Sequence, residues 1–269
     1  MITQLLIFLA VGCVTGVLAG LLGIGGGTVI VPTVLIALSA LGVDTEAMMK
    51  VAVGTSFATI MFSTLSSAFA HYRKGGFDKG FAMKMAAGAI VGVLVGSWVA
   101  KFLSNQILLM MFCVFLAYVI FNMIKNASKP DGNTAKPIPA VAYSGIGGVI
   151  GFISSFIGIG GGVLIVPVLN KIGHPVRTAI GVSSSVGFFV AAVGTLTYIY
   201  HGWDIPNLPP YSVGYVYLPA FVGLAVTSAI FAPLGAKLAY KLPVQRLRQF
   251  FALFLTLILL NLLYKMVIA

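Results

Sequence analysis

The chain has 269 residues, of which 59% are hydrophobic and 8% are charged, and its formal net charge is +11. Soluble domains carry about 25% charged residues. This composition therefore excludes a soluble globular protein and predicts a multi-pass membrane protein in a lipid bilayer. The basic residues gather in short loops, acidic residues are scarce, and basic and aromatic residues do not alternate along a stripe. We therefore attribute the positive charge to loop topology and expect no nucleic-acid partner.

Ten apolar segments follow one another along the chain, five before and five after a polar break. In chain order they are predicted at about 3–22, 28–41, 51–70, 82–100 and 106–124, then at about 139–157, 163–172, 179–200, 212–233 and 249–267. A helix that crosses a membrane needs about 20 residues, so the segments at 28–41 and 163–172 are short. The pattern predicts an all-α polytopic membrane protein whose helices are interrupted at glycine-rich loops.

The two halves carry the same markers in the same order. "GIGGG-x-x-IVP" occurs at Gly23–Pro32 and again at Gly158–Pro167, and "VAVGTS" in the first half corresponds to "TAIGVS" in the second. Such self-similarity indicates an internal duplication of about 130 residues. The predicted organisation is repeat 1 at residues 1–124, a cytoplasmic linker at 125–138 and repeat 2 at 139–269.

The loop charges indicate that the repeats insert in opposite orientations. Loop 71–84 has a net charge of +3 and its counterpart 201–211 has −1, whereas loop 42–50 has −1 and its counterpart 171–178 has +2. Basic loops lie on the cytoplasmic side, and five segments per repeat is an odd number. We therefore predict two inverted-topology repeats with both termini outside. The loops placed in the cytoplasm are 71–84, 125–138, 171–178 and 237–248.

The glycine runs at the start of the short segments predict an anion site where the repeats meet. Inverted repeats with interrupted helices bind their substrate at the repeat interface, and glycines leave backbone N–H groups accessible. The helices that restart at Thr28 and Val163 direct their positive dipole ends toward the same space. The candidate substrate-binding residues in these loops are Gly23, Gly25, Gly26, Gly27, Thr28, Gly158, Gly160, Gly161 and Gly162.

Hydroxyl groups complete the candidate site, because no Lys or Arg lies in the middle of a predicted segment. The hydroxyl residues Thr55 and Ser56 in repeat 1 and Ser183 and Ser184 in repeat 2 occupy the matching place, just inside the third segment of their half. Two plainer interpretations stay open: the glycines serve close helix packing, and the hydroxyls bond to their own helices. A dinucleotide loop requires a strand–loop–helix context that this sequence lacks.

The positions of the remaining polar and aromatic residues indicate that they lie at the membrane borders rather than in a catalytic site. The three histidines, His71, His174 and His201, lie at predicted segment ends, and Trp203, Tyr211, Tyr215 and Tyr217 are typical of an interfacial belt. The five acidic residues lie near loops, and the two cysteines have no neighbouring ligands. We therefore expect no catalytic residue, no metal and no cofactor.

The paired motifs "GIGGGTVIVP" and "GIGGGVLIVP", together with "AVGTS" and "HYRKGGFD", resemble the TauE/SafE family of sulfite exporters over essentially the whole chain. In the second copy "GVSSS" replaces "GTS". The resemblance implies a secondary transporter of small sulfur-containing anions, such as sulfite, sulfoacetate or other organosulfonates, across the bacterial-type inner membrane. We expect export, because an anion that leaves the cell gains about 2.3 kcal/mol per charge and 100 mV of membrane potential. The alternatives are an anion channel and a membrane-embedded enzyme.

Overall fold

We analysed a computed structural model of the chain, which describes residues 2–22, 26–40, 42, 47–73, 79–125, 139–239 and 244–268. The first half forms helices α1 (Ile2–Leu22), α2 (Gly27–Ala40), α3 (Met48–Tyr72), α4 (Lys79–Phe102) and α5 (Asn105–Lys125). The second half forms α6 (Ala140–Ile157), α7 (Gly162–Lys171), α8 (Val176–Gly202), α9 (Leu218–Ala239) and α10 (Val244–Ile268). A short hairpin of β1 (Ser212–Val213) and β2 (Val216–Tyr217) precedes α9.

Seven of the described helices are long and apolar enough to cross a membrane: α1, α3, α4, α5, α6, α8 and α9. This confirms the predicted all-α polytopic membrane fold. Helices α2 and α7 have 14 and 10 residues, which span about 21 and 15 Å at 1.5 Å per residue. Both are shorter than the hydrocarbon core of about 30 Å. Each has a proline as its sixth residue, Pro32 in α2 and Pro167 in α7.

Helices α3 and α8 pack antiparallel to each other in the centre of the protein. The ring of Phe57 lies against Gly194 toward one end of the crossing. Ser67 is hydrogen-bonded to Ser184 toward the other end, at 3.1 Å between the hydroxyl oxygens. Residue numbers thus rise along α3 while they fall along α8. More than half of each helix is buried, and this pair forms the core around which the other helices lie.

The outer helices pack in two matching pairs, α1 with α9 and α4 with α6. Exchanging the halves converts one pair into the other, because α1 corresponds to α6 and α4 to α9. Helix α1 carries glycines at every fourth position on the side facing α9, and α4 does the same facing α6. Small residues at this spacing allow close contact between membrane helices. These glycines are Gly12, Gly16 and Gly20 in α1, and Gly88, Gly92 and Gly96 in α4.

Helix α9 is joined to the core at its proline. Pro233 has no N–H group and cannot donate to the carbonyl of Ala229, four residues earlier. The hydroxyl of Ser66 in α3 donates to that carbonyl at 2.8 Å. A buried carbonyl without a partner costs on the order of 1–3 kcal/mol. Ser66 therefore both satisfies the proline break and fixes α9 against α3.

The hairpin differs from the sequence prediction, which placed one apolar segment at 212–233. Tyr211 and Gly214 have positive φ angles of 65° and 55°, so the chain turns back before α9 can begin at Leu218. Tyr215 and Tyr217 are 3% and 6% exposed, because the hairpin folds onto α3. Their assignment to an interfacial belt is wrong, although Trp203 and Tyr211 are exposed.

Candidate functional site

The two glycine loops have the same backbone geometry around their last glycine. Gly26 and Gly161 have φ angles of 79° and 76°, in the left-handed region that glycine adopts without strain. The Gly26 carbonyl accepts the N–H groups of Val29 and Ile30, both at 3.0 Å. The Gly161 carbonyl accepts those of Leu164 and Ile165, at 3.0 and 2.9 Å. Each loop therefore ends in a glycine cap that starts a short helix one residue earlier than predicted.

The described parts of the two loops touch each other. A Cβ atom at Gly27 would lie 2.5 Å from the carbonyl oxygen of Gly158 and 3.0 Å from the Cα atom of Ile159. Gly160 lies against Ile60 of α3 and Gly187 of α8. The second loop is thus held between the first loop and both core helices. Gly23 and Gly25 lie outside the described residues.

Three of the four predicted hydroxyl residues in α3 and α8 have identified hydrogen-bond partners. Ser56 Oγ donates to the Gly158 carbonyl at 2.6 Å, and Ser184 bonds to Ser67. Thr55 Oγ1 accepts the N–H of Tyr217 at 2.9 Å. The fourth, Ser183, is buried and also has an interaction partner. These bonds position the glycine loop, the helix crossing and the hairpin.

Two other hydroxyls at the loops have no hydrogen-bond partner among the described residues. Thr28 Oγ1 is in the first turn of α2, and Ser154 Oγ is in the last turn of α6. The residues are 0% and 1% exposed, and Ser154 Oγ lies 3.6 Å from the Cβ position of Gly161. An unpaired buried hydroxyl costs on the order of 1–3 kcal/mol. A ligand with acceptor atoms would relieve that cost.

The glycine-loop pattern predicts Thr28 as a site residue but does not include Ser154. The available signal was "SSFIGIGGG", in which Ser154 stands one helical turn before the loop. In repeat 1 the matching residue is Ala19, four residues before the first glycine of the loop, whereas the residue matching Thr28 is Val163. In the described part of the chain, each loop thus has one hydroxyl without a partner, after the glycine run in repeat 1 and before it in repeat 2.

The electrostatics of the loops come from backbone groups. Within the described part of the chain, the N–H groups of Gly162 and Val163 have no backbone acceptor, as expected at a helix start. Helices α1, α2 and α6 contain no Asp, Glu, Lys, Arg or His. The N-terminal dipole ends of α2 and α7, each equivalent to about half a positive charge, lie at the loops beside the C-terminal ends of α1 and α6, which have the opposite sign. The donors that this arrangement offers to an anion are therefore the first-turn N–H groups of α2 and α7.

One side chain from each core helix bonds the helix end that precedes each loop. Tyr198 Oη donates to the Ser155 carbonyl at 2.6 Å, and His71 Nε2 donates to the Gly20 carbonyl at 3.0 Å. His71 stands in the last turn of α3, at the predicted segment end, and is 1% exposed because the protein covers it. The sequence already shows that Tyr198 and His71 occupy corresponding positions. His71 stands fifteen residues after Ser56, and Tyr198 stands fifteen residues after the matching Ser183.

The hairpin covers Tyr198 on one side of the core. Tyr198 packs on Phe57 and Tyr215, with ring centroids 5.8 and 6.1 Å apart. The Tyr215 N–H donates to the Tyr198 carbonyl at 3.3 Å. Burial raises the pKa of the phenols of Tyr215 and Tyr217, so both stay neutral. This side of the core is closed by uncharged aromatic rings.

The sequence matches known proteins over nearly its full length. Residues 8–262 match the family model described as sulfite exporter TauE/SafE. A "probable membrane transporter protein" of Haemophilus influenzae is 38% identical over 266 residues, which cover 98% of this chain and 100% of the relative. A protein of the same description from Methanocaldococcus jannaschii is 27% identical over 245 residues, covering 90% of this chain and 89% of the relative. No solved structure matches the chain with significance. With its membrane-spanning helices, this chain is a multi-pass membrane protein that belongs to the sulfite exporter TauE/SafE family.

Proposed function

We propose that the protein is a secondary transporter that exports small sulfur-containing anions, such as sulfite, sulfoacetate or other organosulfonates, across the inner membrane. The observation that carries this proposal is that the buried hydroxyls of Thr28 and Ser154, at the two glycine loops, have no hydrogen-bond partner among the described residues. The family name supports a sulfite exporter, and the names of the relatives support membrane transport. The binding site comprises the two glycine loops, these hydroxyls and the first-turn amides of α2 and α7.

The chemistry of the site favours an oxyanion over a cation or a neutral solute. Helix N-termini and hydroxyl donors stabilise negative charge, and the helices that enter the loops carry no acidic residue. Sulfite and sulfonate groups offer several acceptor oxygens in a small volume. Because the loops touch at Gly27 and Gly158, a compact anion suits the site better than a long one.

The packing supports the inverted arrangement of the two halves. Corresponding helices α3 and α8 run antiparallel where they cross, which supports insertion of the two copies in opposite directions. With the basic loops inside, we infer that both termini lie outside and that the linker at 125–138 lies in the cytoplasm. Inverted repeats that meet at broken helices are typical of secondary transporters. Export of a singly charged anion gains about 2.3 kcal/mol per 100 mV of membrane potential.

A transport assay with a defined anion panel tests the proposal. The purified protein is reconstituted in proteoliposomes loaded with sulfite, sulfoacetate, thiosulfate, taurine or sulfate, and efflux is followed with and without an imposed potential. We expect saturable efflux of at least one sulfur anion, faster when the inside is negative, and exchange against the same anion outside. Conduction that does not saturate indicates a channel. Failure of every anion to bind or move contradicts the proposal.

A further inference from the structure

An isoleucine of α3 lies between the two glycine loops. The Cδ1 atom of Ile60 would be 2.9 Å from a Cβ atom at Gly27 in the first loop, and its Cγ2 atom would be 2.9 Å from a Cβ atom at Gly160 in the second. Ile60 is fully buried. Its methyl groups therefore occupy the space between the loops on the side that faces the core.

The position of Ile60 follows from its spacing along α3. It stands four residues after Ser56, whose hydroxyl donates to the Gly158 carbonyl at 2.6 Å, and side chains four residues apart lie on the same face of a helix. Ser56 thus attaches the start of the second loop to α3, and Ile60 contacts the same loop one turn later. A hydrogen bond and close packing together fix where the methyl groups of Ile60 lie.

The matched residue of repeat 2 has no side chain. Gly187 stands four residues after Ser183, as Ile60 stands four residues after the matching Ser56. A Cβ atom at Gly187 would lie 2.8 Å from the Gly160 carbonyl oxygen, so α8 approaches the second loop with its backbone. At equivalent points the two core helices therefore present a large apolar side chain from α3 and a bare backbone from α8.

Ile60 lies beside both hydroxyl groups of the proposed anion site. Thr28 directly follows the glycine that the Ile60 Cδ1 atom contacts. Ser154 Oγ lies 3.6 Å from the Cβ position of Gly161, which directly follows the glycine that the Cγ2 atom contacts. The hydroxyls are polar and the methyl groups are apolar, so the described residues offer two kinds of surface at the point where the loops meet.

We propose that Ile60 determines which sulfur anions the site accepts, by limiting the size of the group that the sulfur carries besides its oxygens. This inference rests on the anion site proposed above. The oxygens of the anion accept from the hydroxyls and the first-turn amides, and the substituent on the sulfur packs against the Ile60 methyl groups. Sulfite has no such substituent, whereas each methylene of an alkanesulfonate adds length on that side. One methylene in an apolar pocket changes discrimination about 10- to 200-fold.

The test compares alkanesulfonates of different chain length by isothermal titration calorimetry on the purified full-length protein in one detergent. Methanesulfonate and propanesulfonate have the same charged group, so the ratio of their affinities reports the space for the substituent. For the wild type we expect methanesulfonate to bind at least about tenfold more tightly than propanesulfonate.

Two variants enlarge this space in steps. Ile60→Val removes the Cδ1 methyl group, which lies at Gly27, and Ile60→Ala removes the Cγ2 methyl group at Gly160 as well. We expect the preference for methanesulfonate to fall at least about threefold in the valine variant and at least about tenfold in the alanine variant. If Ile60→Ala fails to fold, Ile60→Val carries the test, because it removes a single methyl group.

Ile120→Val is the matched control. It removes the same methyl group from a partly buried isoleucine of α5, a helix that packs chiefly against α10. A loss of packing alone lowers stability and affects both sulfonates alike, so the affinity ratio of Ile120→Val should equal that of the wild type.

The outcomes distinguish this inference from the transport proposal. A wild type that binds both sulfonates equally overturns the role of Ile60, and so do folded Ile60 variants that keep the wild-type ratio or that bind sulfite but neither sulfonate. An equal change of the ratio in Ile120→Val overturns it as well. In each of these cases the anion site stands. Absence of binding of sulfite, of both sulfonates and of the other sulfur anions by the wild type overturns the anion site and this inference with it.

Discussion

The two halves of this protein share backbone geometry at their glycine loops but differ in the side chains around them. The caps at Gly26 and Gly161 have φ angles within a few degrees of each other. At matched positions of the core helices, Phe57 packs on Gly194 in one place, whereas Ser184 bonds Ser67 in the other. The glycine caps therefore have the same shape in both halves, while the side chains make one side of the core aromatic and the other side polar.

This comparison separates the backbone geometry of the site, which the two halves share, from its hydroxyl groups, which they do not share. Thr28 in repeat 1 stands opposite Val163, and Ser154 in repeat 2 stands opposite Ala19. If both loops held an anion through backbone groups alone, these differences would be neutral. If the hydroxyls contact the anion, exchanging each one for the residue of the other half weakens binding. One variant that disrupts the contact between the loops tests the shared geometry, and two variants that remove the hydroxyl groups test the chemistry.

The largest effect is expected from Gly27→Val, which adds a side chain where the loops touch. Its Cβ atom would lie 2.5 Å from the Gly158 carbonyl oxygen and 3.0 Å from Ile159 Cα. Backbone atoms cannot move aside as a flexible side chain can, so the loops must separate. We expect sulfite efflux from proteoliposomes to fall at least about a hundredfold, the equivalent of about 2.8 kcal/mol in a barrier.

Gly145→Val is the matched control, because nothing lies within 4 Å of a Cβ atom at Gly145 in α6. Its efflux should stay within about twofold of the wild type. Circular dichroism and gel filtration check that both variants are folded. Normal efflux by a folded Gly27→Val protein would show that contact between the loops is not needed for transport.

The next effect concerns the two unpartnered hydroxyls. Thr28→Val and Ser154→Ala give each loop the residue found in the other half and leave the backbone unchanged. A hydrogen bond to a charged group contributes about 1.5–3 kcal/mol, so each variant should bind sulfite about tenfold to a hundredfold more weakly. The measurement is isothermal titration calorimetry in one detergent at fixed salt and pH.

Thr256→Val provides the control, since Thr256 Oγ1 donates to the Ala252 carbonyl within α10 at 2.8 Å. Its sulfite affinity should match the wild type. Wild-type affinity in both loop variants would mean that the hydroxyls do not contact the anion and that backbone amides alone hold it.

The smallest effect on binding is expected from Ser56→Ala, which should lower the stability of the protein more than its affinity for the anion. Ser56 donates to Gly158 rather than remaining available for a ligand. Its loss leaves a buried carbonyl with one partner fewer, so we expect about 1 kcal/mol less stability against thermal unfolding. Sulfite affinity should change by less than about threefold. A tenfold loss of affinity at unchanged stability would instead place the Ser56 hydroxyl in contact with the anion, as the sequence hypothesis had it.

The sequence predicted the helical elements well because their boundaries are local. Glycines and prolines limit the short segments, and α2 and α7 begin and end within one residue of the expected 28–41 and 163–172. The hairpin was missed because "SVGYVYLPAF" is as apolar as the helix that follows. Only the positive φ at Tyr211 and Gly214 separates the two elements.

The candidate site was predicted less completely because hydroxyl partners are set by tertiary structure. Ser56 and Gly158 are 102 residues apart in the chain, and Thr55 and Tyr217 are 162 apart. No local pattern reveals which hydroxyls such distant groups occupy and which stay unpaired. The burial of His71 has the same origin, since α1 covers it from the far side of the repeat.

The prolines of the two short helices give the loops a hinge. Pro32 and Pro167 cannot donate to the carbonyls of Thr28 and Val163, so each helix lacks one bond between its first turn and the rest. Helices bend most readily at such positions. In α9 the equivalent gap at Pro233 is closed by Ser66, and that helix is pinned. In α2 and α7 the missing bond makes the first turn the part of the helix that bends at the lowest cost, and a tilt at that point would carry the glycine cap with it.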